Sequence, residues 1–286
     1  MTDVRIGVSG WRYPGWRGTF YPRGLPQRLE LPYLAARMRT IEVNGSFYSL
    51  QRPSSWLAWA EQVPADTVMA VKGPRFVTHM KRLRDPGAAL GTFFASGPLL
   101  LGDRLGPFLW QLPARDTFEP DRLAAFFAQL PRTEGDAARL ARAGRLDPLL
   151  KNGLTPWTRA RRADRPLRHA IEVRHPSYQD EAFLALCREH RVAVVVSDGA
   201  GLWPTIDAVT ADHVYVRLHG GDELYTSGYR PEEIAAWAQR IRDWAARDDV
   251  EQVLVYLDND AKVHAPGDAM AIADAVGVAR PDPPAV

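Results

Sequence analysis

Cysteine is almost absent: the chain of 286 residues carries one, Cys187. A lone cysteine excludes an internal disulfide and a multi-cysteine zinc site. It lies in Ala182-Phe183-Leu184-Ala185-Leu186-Cys187, a helical run in which a small buried hydrophobe is the natural reading. Long apolar runs are missing too. None approaches the ~18 residues that a membrane-spanning helix needs. The opening Met1-Thr2-Asp3-Val4-Arg5 puts charges where a secretory leader needs an apolar core, so a cytoplasmic location and no membrane partner are expected. The charge lacks a dominant sign. A net charge of +2 does not describe a surface that seeks nucleic acid strongly. Lysine is scarce, standing only at 72, 81, 151 and 262. Internal repeats and low-complexity tracts are absent.

What is present is an ordinary globular composition, 46% hydrophobic and 24% charged. Short β-rich runs alternate with amphipathic ones from end to end. Strands are expected at 5–11, 40–46, 67–73, 107–112, 168–175, 192–198, 213–220 and 252–259, and helices among others at 53–62, 120–130, 180–190 and 231–246. Several of the helical runs open on proline or an acidic residue, as helix starts do. Strands alternating with helices build parallel βα units. Eight such units in a chain of this length predict an α/β fold, a single (β/α)8 TIM-like barrel with parallel strands, with an open doubly wound sheet as the other possibility. The expected domain covers 1–280, with a basic insertion at 132–167 before the fifth strand and a proline-rich tail at 281–286. Residues 12–30 form a long aromatic first loop.

Strand side chains alternate between two faces. In 213–220 the aliphatic Val214, Val216 and Leu218 belong under helices, which sends Tyr215, Arg217 and His219 into the barrel. The same rule sends Glu42, Asn44, Lys72, Gln111, Glu172, Arg174, Asp198 and Asp258 inward. All of these lie toward the C-terminal ends of their strands, where barrels of this kind build active sites. The inward positions nearer the strand starts are small or apolar: Gly7, Ala70, Ala170, Val194, Val196 and Leu254. A polar mouth above an apolar floor is the prediction, because an all-apolar layer would serve stability better than so many buried charges.

Several segments carry a resemblance as they stand. They are Gly7-Val8-Ser9-Gly10-Trp11 with Phe20-Tyr21-Pro22, Glu42-Val43-Asn44-Gly45-Ser46-Phe47-Tyr48, and Ala70-Val71-Lys72-Gly73-Pro74-Arg75 with Thr78-His79. They continue through Gln111-Leu112-Pro113, Glu172-Val173-Arg174-His175-Pro176, Tyr215-Val216-Arg217-Leu218-His219-Gly220 and Asp258-Asn259-Asp260. Together these resemble the YecE-like family, catalogued as domain of unknown function 72. The resemblance implies a TIM-like barrel and no settled activity. The chain departs from the family pattern after the eighth strand, where Asp258 stands in place of an asparagine or aromatic residue.

The inward ionisable groups are near balance: Glu42, Glu172, Asp198 and Asp258 against Lys72, Arg174 and Arg217, with His219 able to go either way. A divalent-metal site on Glu42, Glu172, Asp198 and His219 would have to tolerate these cations, so no metal and no cofactor are expected. Metal-free acid–base chemistry is the expectation, with Glu42, Lys72, Glu172, Asp198 and His219 as catalytic candidates. Lys72 also reads as a Schiff-base nucleophile. Trp11, Asn44, Tyr48, Gln111, Arg174, Arg217 and Asn259 are the expected substrate-binding residues. Tyr13, Trp16, Phe47, Tyr178, Trp203, Tyr225 and Tyr229 add flat rings at the same end, some of them core filling. The expected partner is a small molecule, polyhydroxylated or anionic. Arg174 and Arg217 are the forks that would take a phosphate or carboxylate. Two other classes stay open. A nucleic-acid-processing or nucleic-acid-binding protein, with metal dependence left open, would place Arg139, Arg142, Arg145, Lys151, Arg159, Arg161, Arg162 and Arg165 on phosphates, and its binding would weaken steeply with salt. A non-catalytic ligand-binding barrel would differ from an enzyme only in turnover.

Overall fold

The structure, a computed structural model, describes residues 2–279, so the tail expected at 281–286 lies outside the described residues. In chain order the elements are β1 (Asp3–Ser9), α1 (Glu30–Ala35), β2 (Thr40–Val43), α2 (Gly45–Tyr48), α3 (Pro53–Gln62), β3 (Val68–Lys72), α4 (Gly87–Ala95), β4 (Leu105–Gln111) and α5 (Pro120–Phe127). They continue with α6 (Glu134–Ala143), α7 (Asp147–Lys151), β5 (His169–Glu172), α8 (Glu181–Glu189), β6 (Val192–Asp198), β7 (His213–Leu218), α9 (Pro231–Ala245), β8 (Gln252–Leu257) and α10 (His264–Val276). The strands close into a barrel in sequence order, β1 to β8. The pairings of β1 with β2 and β8, of β4 with β3 and β5, and of β7 with β6 and β8 are all parallel. This is the (β/α)8 fold that the alternation predicts. Among the described residues no helix is long and apolar enough to cross a membrane.

The strand ends differ from the sequence expectation for local reasons. β1 stops at Ser9 because Gly10 turns left-handed, with φ +80. β2 stops at Val43 because residues 45–48 coil into one helical turn. β5 stops at Glu172, two residues before Arg174. Pro53, Pro120 and Pro231 each open a helix, where the missing N–H of proline is no loss.

The chain divides into two compact units, Met1–Glu42 with Ala193–Val286, and Val43–Val192. In the first unit, β1 approaches β2 so closely that a Cβ on Gly7 would lie 1.8 Å from the Thr40 carbonyl oxygen. Only glycine fits there. The long first loop folds on its own rings: Trp16, with no exposed surface, packs against Tyr13, Phe20 and Tyr21. Burying a ring of this size contributes roughly 2–3 kcal/mol, which is why the loop holds one shape.

In the second unit, Phe108, Trp110 and His169 face the helices. Trp110 packs edge-on against Phe126 of α5, and both Phe108 and Trp110 meet Phe93 of α4. The Trp110 indole N–H donates to His169 Nδ1 at 3.2 Å. The opposite parity leaves Leu109, Gln111, Ala170 and Glu172 on the other face. The basic insertion is part of this core. Its helix α6 starts on a capping box between Thr133 and Asp136 and buries Ala137, Ala138 and Ala141. A Cβ on Gly91 of α4 would lie 2.4 Å from the Leu140 carbonyl oxygen, so α4 and α6 meet backbone to backbone.

Candidate acid–base site

The strand ends of the first unit carry a buried ionic network centred on Arg217, which has no exposed surface. Its Nε donates to Glu42 Oε2 at 3.1 Å and its Nη2 to Glu42 Oε1 at 2.9 Å, a two-point fork. The same Nη2 donates to Asp258 Oδ2 at 2.7 Å. Glu42 also accepts from the Tyr215 hydroxyl at 2.6 Å and the Ser9 hydroxyl at 2.9 Å. Glu42, Tyr215 and Arg217 therefore leave their strands on one face, as their parity predicts. With four donors on two oxygens, Glu42 has its accepting capacity filled. It anchors Arg217. Burial first, then the Glu42 charge, holds the Tyr215 phenol well above its ordinary range.

His219 is boxed by the rings of Trp203 and Tyr225 at 5.5 and 5.2 Å. Its Nε2 lies 3.4 Å from Arg217 Nη1, and its Nδ1 lies 3.2 Å from Asp258 Oδ2. A guanidinium only donates, so Nε2 must accept and the ring proton belongs on Nδ1, toward the carboxylate. His219 thus lies between the Arg217 guanidinium and Asp258. Asp258 keeps 16% of its side chain exposed while Glu42 keeps none. Of the two carboxylates that Arg217 holds, Asp258 is the one that opens outward.

Asp260 is the group that the sequence reasoning quoted but did not place in the site. It shares parity with Asp258, and that alone could have found it. Burial, then the charge of Asp258, pushes its carboxyl up to about 8. Tyr13 folds back over Gly10, whose missing Cβ would lie 2.6 Å from the phenol oxygen.

Other expected residues of this unit have structural partners. Asp198 accepts from the Tyr229 hydroxyl at 3.1 Å and the Ala200 N–H at 3.3 Å, and burial raises its carboxyl. Asn259 faces away from Asp258: its Nδ2 donates to the Ser227 carbonyl at 3.0 Å and to Asp268 of α10 at 2.8 Å. Fully buried, it ties the loop after β8 to a helix. Trp11 is buried as well, and its carbonyl accepts from the Tyr21 hydroxyl at 2.7 Å.

The second unit holds Asn44, Tyr48, Lys72, Gln111, Glu172 and Arg174. Arg174 donates through Nε and Nη2 to one Glu172 oxygen, at 2.9 and 2.7 Å, and Glu172 is fully buried. Lys72 Nζ sits 4.5 Å from the centre of the Phe47 ring, and Gln111 is buried beside β5 in register with Glu172. Tyr48 is 71% exposed and Asn44 half-buried. Burial, then the charges of Lys72, Arg174 and Arg75, holds His79 below its ordinary range. A further group that the sequence did not disclose is Asp116, which is buried and accepts from Arg82, Arg122 and the Tyr178 hydroxyl. It ties together the loops that follow β3, β4 and β5.

Four of the eight basic residues named in the insertion are engaged within the same unit. Arg142 donates to the Thr158 carbonyl at 3.0 Å, Arg162 pairs with Asp103, and Arg139 pairs with Asp136. Arg165 donates to the Leu105 carbonyl at 3.0 Å and to Glu134 at 3.2 Å. The arrangement splices the insertion onto the strand before it.

Comparison with known proteins agrees with this architecture. The chain is 30% identical over 136 residues to the UPF0759 protein YecE of Escherichia coli (strain K12). That match spans 46% of this chain and 45% of YecE, so it covers less than half the length of the curated relative. The crystal structure of a DUF72 family protein from Thermotoga maritima MSB8 has a TM-score of 0.74 at 23% identity, covering 96% of this chain and 99% of that one. A DUF72 family protein from Enterococcus faecalis V583 gives 0.73 at 16% identity, covering 99% of each chain. At such identities the likeness speaks for the fold alone. The sequence pattern of the whole family reaches further, and because it matches residues 5–285 the chain belongs to the family described as "Protein of unknown function DUF72".

Proposed function

We propose that the protein is an enzyme acting by metal-free acid–base chemistry on a small polyhydroxylated, sugar-like substrate at the C-terminal strand ends. The observation that carries this reading is the Arg217 network. A buried guanidinium fixes two carboxylates, saturates Glu42 and leaves Asp258 facing outward, with His219 orienting it. A carboxylate held this way is a ready base for a proton on the substrate. The cation between Glu42 and Asp258 would repel a divalent metal ion brought to them.

Of the two substrate classes expected from sequence, the polyhydroxylated one fits better. Arg217 directs its donors at Glu42, Asp258 and His219, and Arg174 directs its own at Glu172. Neither fork is poised to receive a phosphate in two-point fashion, whereas hydroxyl groups supply the donors that a carboxylate accepts.

Thermal shift in neutral sugars and polyols, set beside inorganic phosphate and sugar phosphates, tests the substrate class. A neutral polyol at a hundred times its Kd is expected to stabilise the native state by about 2.7 kcal/mol, which raises Tm by several degrees. The rise is expected to be indifferent to salt. A rise with phosphates or oligonucleotides only, shrinking steeply as salt increases, would turn the reading to nucleic acid. No rise with any sugar would contradict the proposed substrate class.

A further inference from the structure

Among the described residues of the first unit, left-handed backbone outside glycine occurs at Ala200 after β6, Tyr225 after β7 and Val263 after β8, with φ +50, +61 and +66. Each follows the C-terminal end of its strand. Such a φ crowds a side chain against its own backbone and is an outlier for a bulky or branched residue. It persists where the surroundings fix it, and such residues gather at sites that bind or react. Ala200 adds only a methyl group. Val263 packs under the first loop, its Cγ2 3.8 Å from where a Cβ on Gly15 would lie. Tyr225 is different, because it carries a large ring and is only half-buried. A ring left partly in solvent gains less from burial to offset the strain.

The backbone of Tyr225 is clasped from both sides. Its N–H donates to the His219 carbonyl at 2.5 Å, and its carbonyl accepts from the Ala261 N–H at 3.1 Å. The loop around it is braced as well. The Ser227 hydroxyl accepts from the Asp222 and Glu223 N–H groups at 3.0 and 2.9 Å, and the Gly220 N–H donates to the Tyr229 hydroxyl at 3.1 Å. Glycine or asparagine would make the same two backbone bonds with less strain, because both take left-handed backbone readily. The clasp therefore accounts for the backbone of residue 225 and leaves its ring unexplained. That ring stands nearly perpendicular to the His219 ring, 5.2 Å away at 87°. His219 in turn lies 3.2 Å from Asp258 Oδ2, so the Tyr225 ring and the outward carboxylate neighbour one imidazole.

We propose that the Tyr225 ring is the platform on which a sugar ring lies while its hydroxyl groups reach Asp258. The proposal rests on the acid–base reading above and narrows its substrate to sugars in their ring form. A phenol face is apolar and takes the C–H face of a pyranose, while the hydroxyls at the rim of the sugar are donors for the carboxylate. An open-chain polyol offers the same hydroxyls without a flat face. The neighbouring rings are engaged in the fold. Trp203 is buried and donates its indole N–H to the Ser197 hydroxyl at 3.0 Å, and Tyr229 is buried with its hydroxyl on Asp198 at 3.1 Å. The ring of Tyr225 is thus the one held against backbone preference, beside the carboxylate and partly open to solvent.

Binding of D-glucose, D-xylose and open-chain sorbitol to wild type, Tyr225→Asn and Tyr225→Phe tests the proposal, with Tm measured on each protein alone. Wild type is expected to bind the two sugars more tightly than sorbitol. Tyr225→Asn is expected to lose roughly three- to tenfold in sugar affinity, the loss from one ring contact, and Tyr225→Phe to restore it. Without any sugar, the Tm of Tyr225→Asn is expected to match or exceed that of wild type, because asparagine relieves the backbone. A ring that only fills the fold gives the reverse, a Tm lower by several degrees with sugar affinity unchanged, and overturns the proposal. Where both fall, contact decides. In protein whose tyrosine rings alone carry protons, magnetisation saturated on those rings is expected to pass to the carbon-bound protons of xylose and to stop doing so in Tyr225→Phe. Transfer that is absent, or that survives in Tyr225→Phe, overturns the platform. Sorbitol bound as tightly as the sugars, with no effect of Tyr225→Asn, overturns this inference and leaves the polyhydroxylated class standing. A wild type that binds none of the three overturns that class, and the Tm of Tyr225→Asn then decides by itself whether the ring is kept for contact or for the fold.

Discussion

Arg217→Met is expected to lower the stability of the fold by about 3–5 kcal/mol, the usual loss when one partner of a buried ion pair is removed. In a chain of this size that is a fall in Tm of roughly 10 °C. The reason is what the substitution leaves behind. Glu42 has no exposed surface and would keep only the hydroxyls of Ser9 and Tyr215. The penalty for its charge would then go uncompensated. Thermal or urea unfolding of the variant measures the loss. The double variant Glu42→Gln with Arg217→Met removes both charges and is expected to lose less than the sum of the two single changes, because the coupling between the partners counts twice in that sum. Additive losses would mean that the fork contributes no coupling and that the network is not the organising feature of this unit.

The pH dependence of stability is expected to run opposite to ordinary acid unfolding over part of its range. A carboxyl whose value is raised on folding binds its proton more tightly in the native chain than in the unfolded one. Its contribution is therefore complete below its unfolded value near 4 and is lost as pH rises through its folded value. For Asp260 the window runs from 3.8 to about 8, and at 1.36 kcal/mol for each pH unit the whole effect is at most ~6 kcal/mol. Asp198 and Asp268 are raised as well, both by burial, and add to the same slope. Urea unfolding of wild type and Asp260→Asn between pH 5 and 9 isolates the one group. The stability difference between them is expected to shift against wild type as pH rises, levelling off above about 8. A difference that stays flat, or shifts toward wild type, contradicts an Asp260 carboxyl raised by burial.

The fold was legible because parallel barrels write it twice. Val214, Val216 and Leu218 must face helices, and that fixes Tyr215 and Arg217 on the opposite side whatever the strand boundaries are. The union of Glu42 with Arg217 follows from parity in the same way. What parity does not carry is how completely each group is engaged. The sequence offers Arg217 as a fork for an anion, and only the geometry shows Glu42, Asp258 and His219 already on it. His219 reads as a catalytic histidine, and spacing does not show that its Nε2 faces a guanidinium, which can only donate. Asn259 lies next to the site in sequence but turns to α10, because one residue of shift past a strand end reverses the side chain. The insertion reads as a basic arm, and its pairing with Glu134, Asp103 and backbone carbonyls is a tertiary fact that spacing does not encode.

The most direct measurement of the central claim is turnover. The neutral polyol or sugar that raises Tm most is incubated in deuterated buffer with wild type and with Asp258→Asn, and its proton and carbon signals are followed by NMR. The account predicts conversion or solvent-deuterium uptake by wild type at neutral pH, lowered by roughly 10²–10⁴-fold in Asp258→Asn, the range that a positioned base contributes. A ligand that binds yet keeps every signal unchanged with wild type would contradict the acid–base enzyme and identify a ligand-binding barrel.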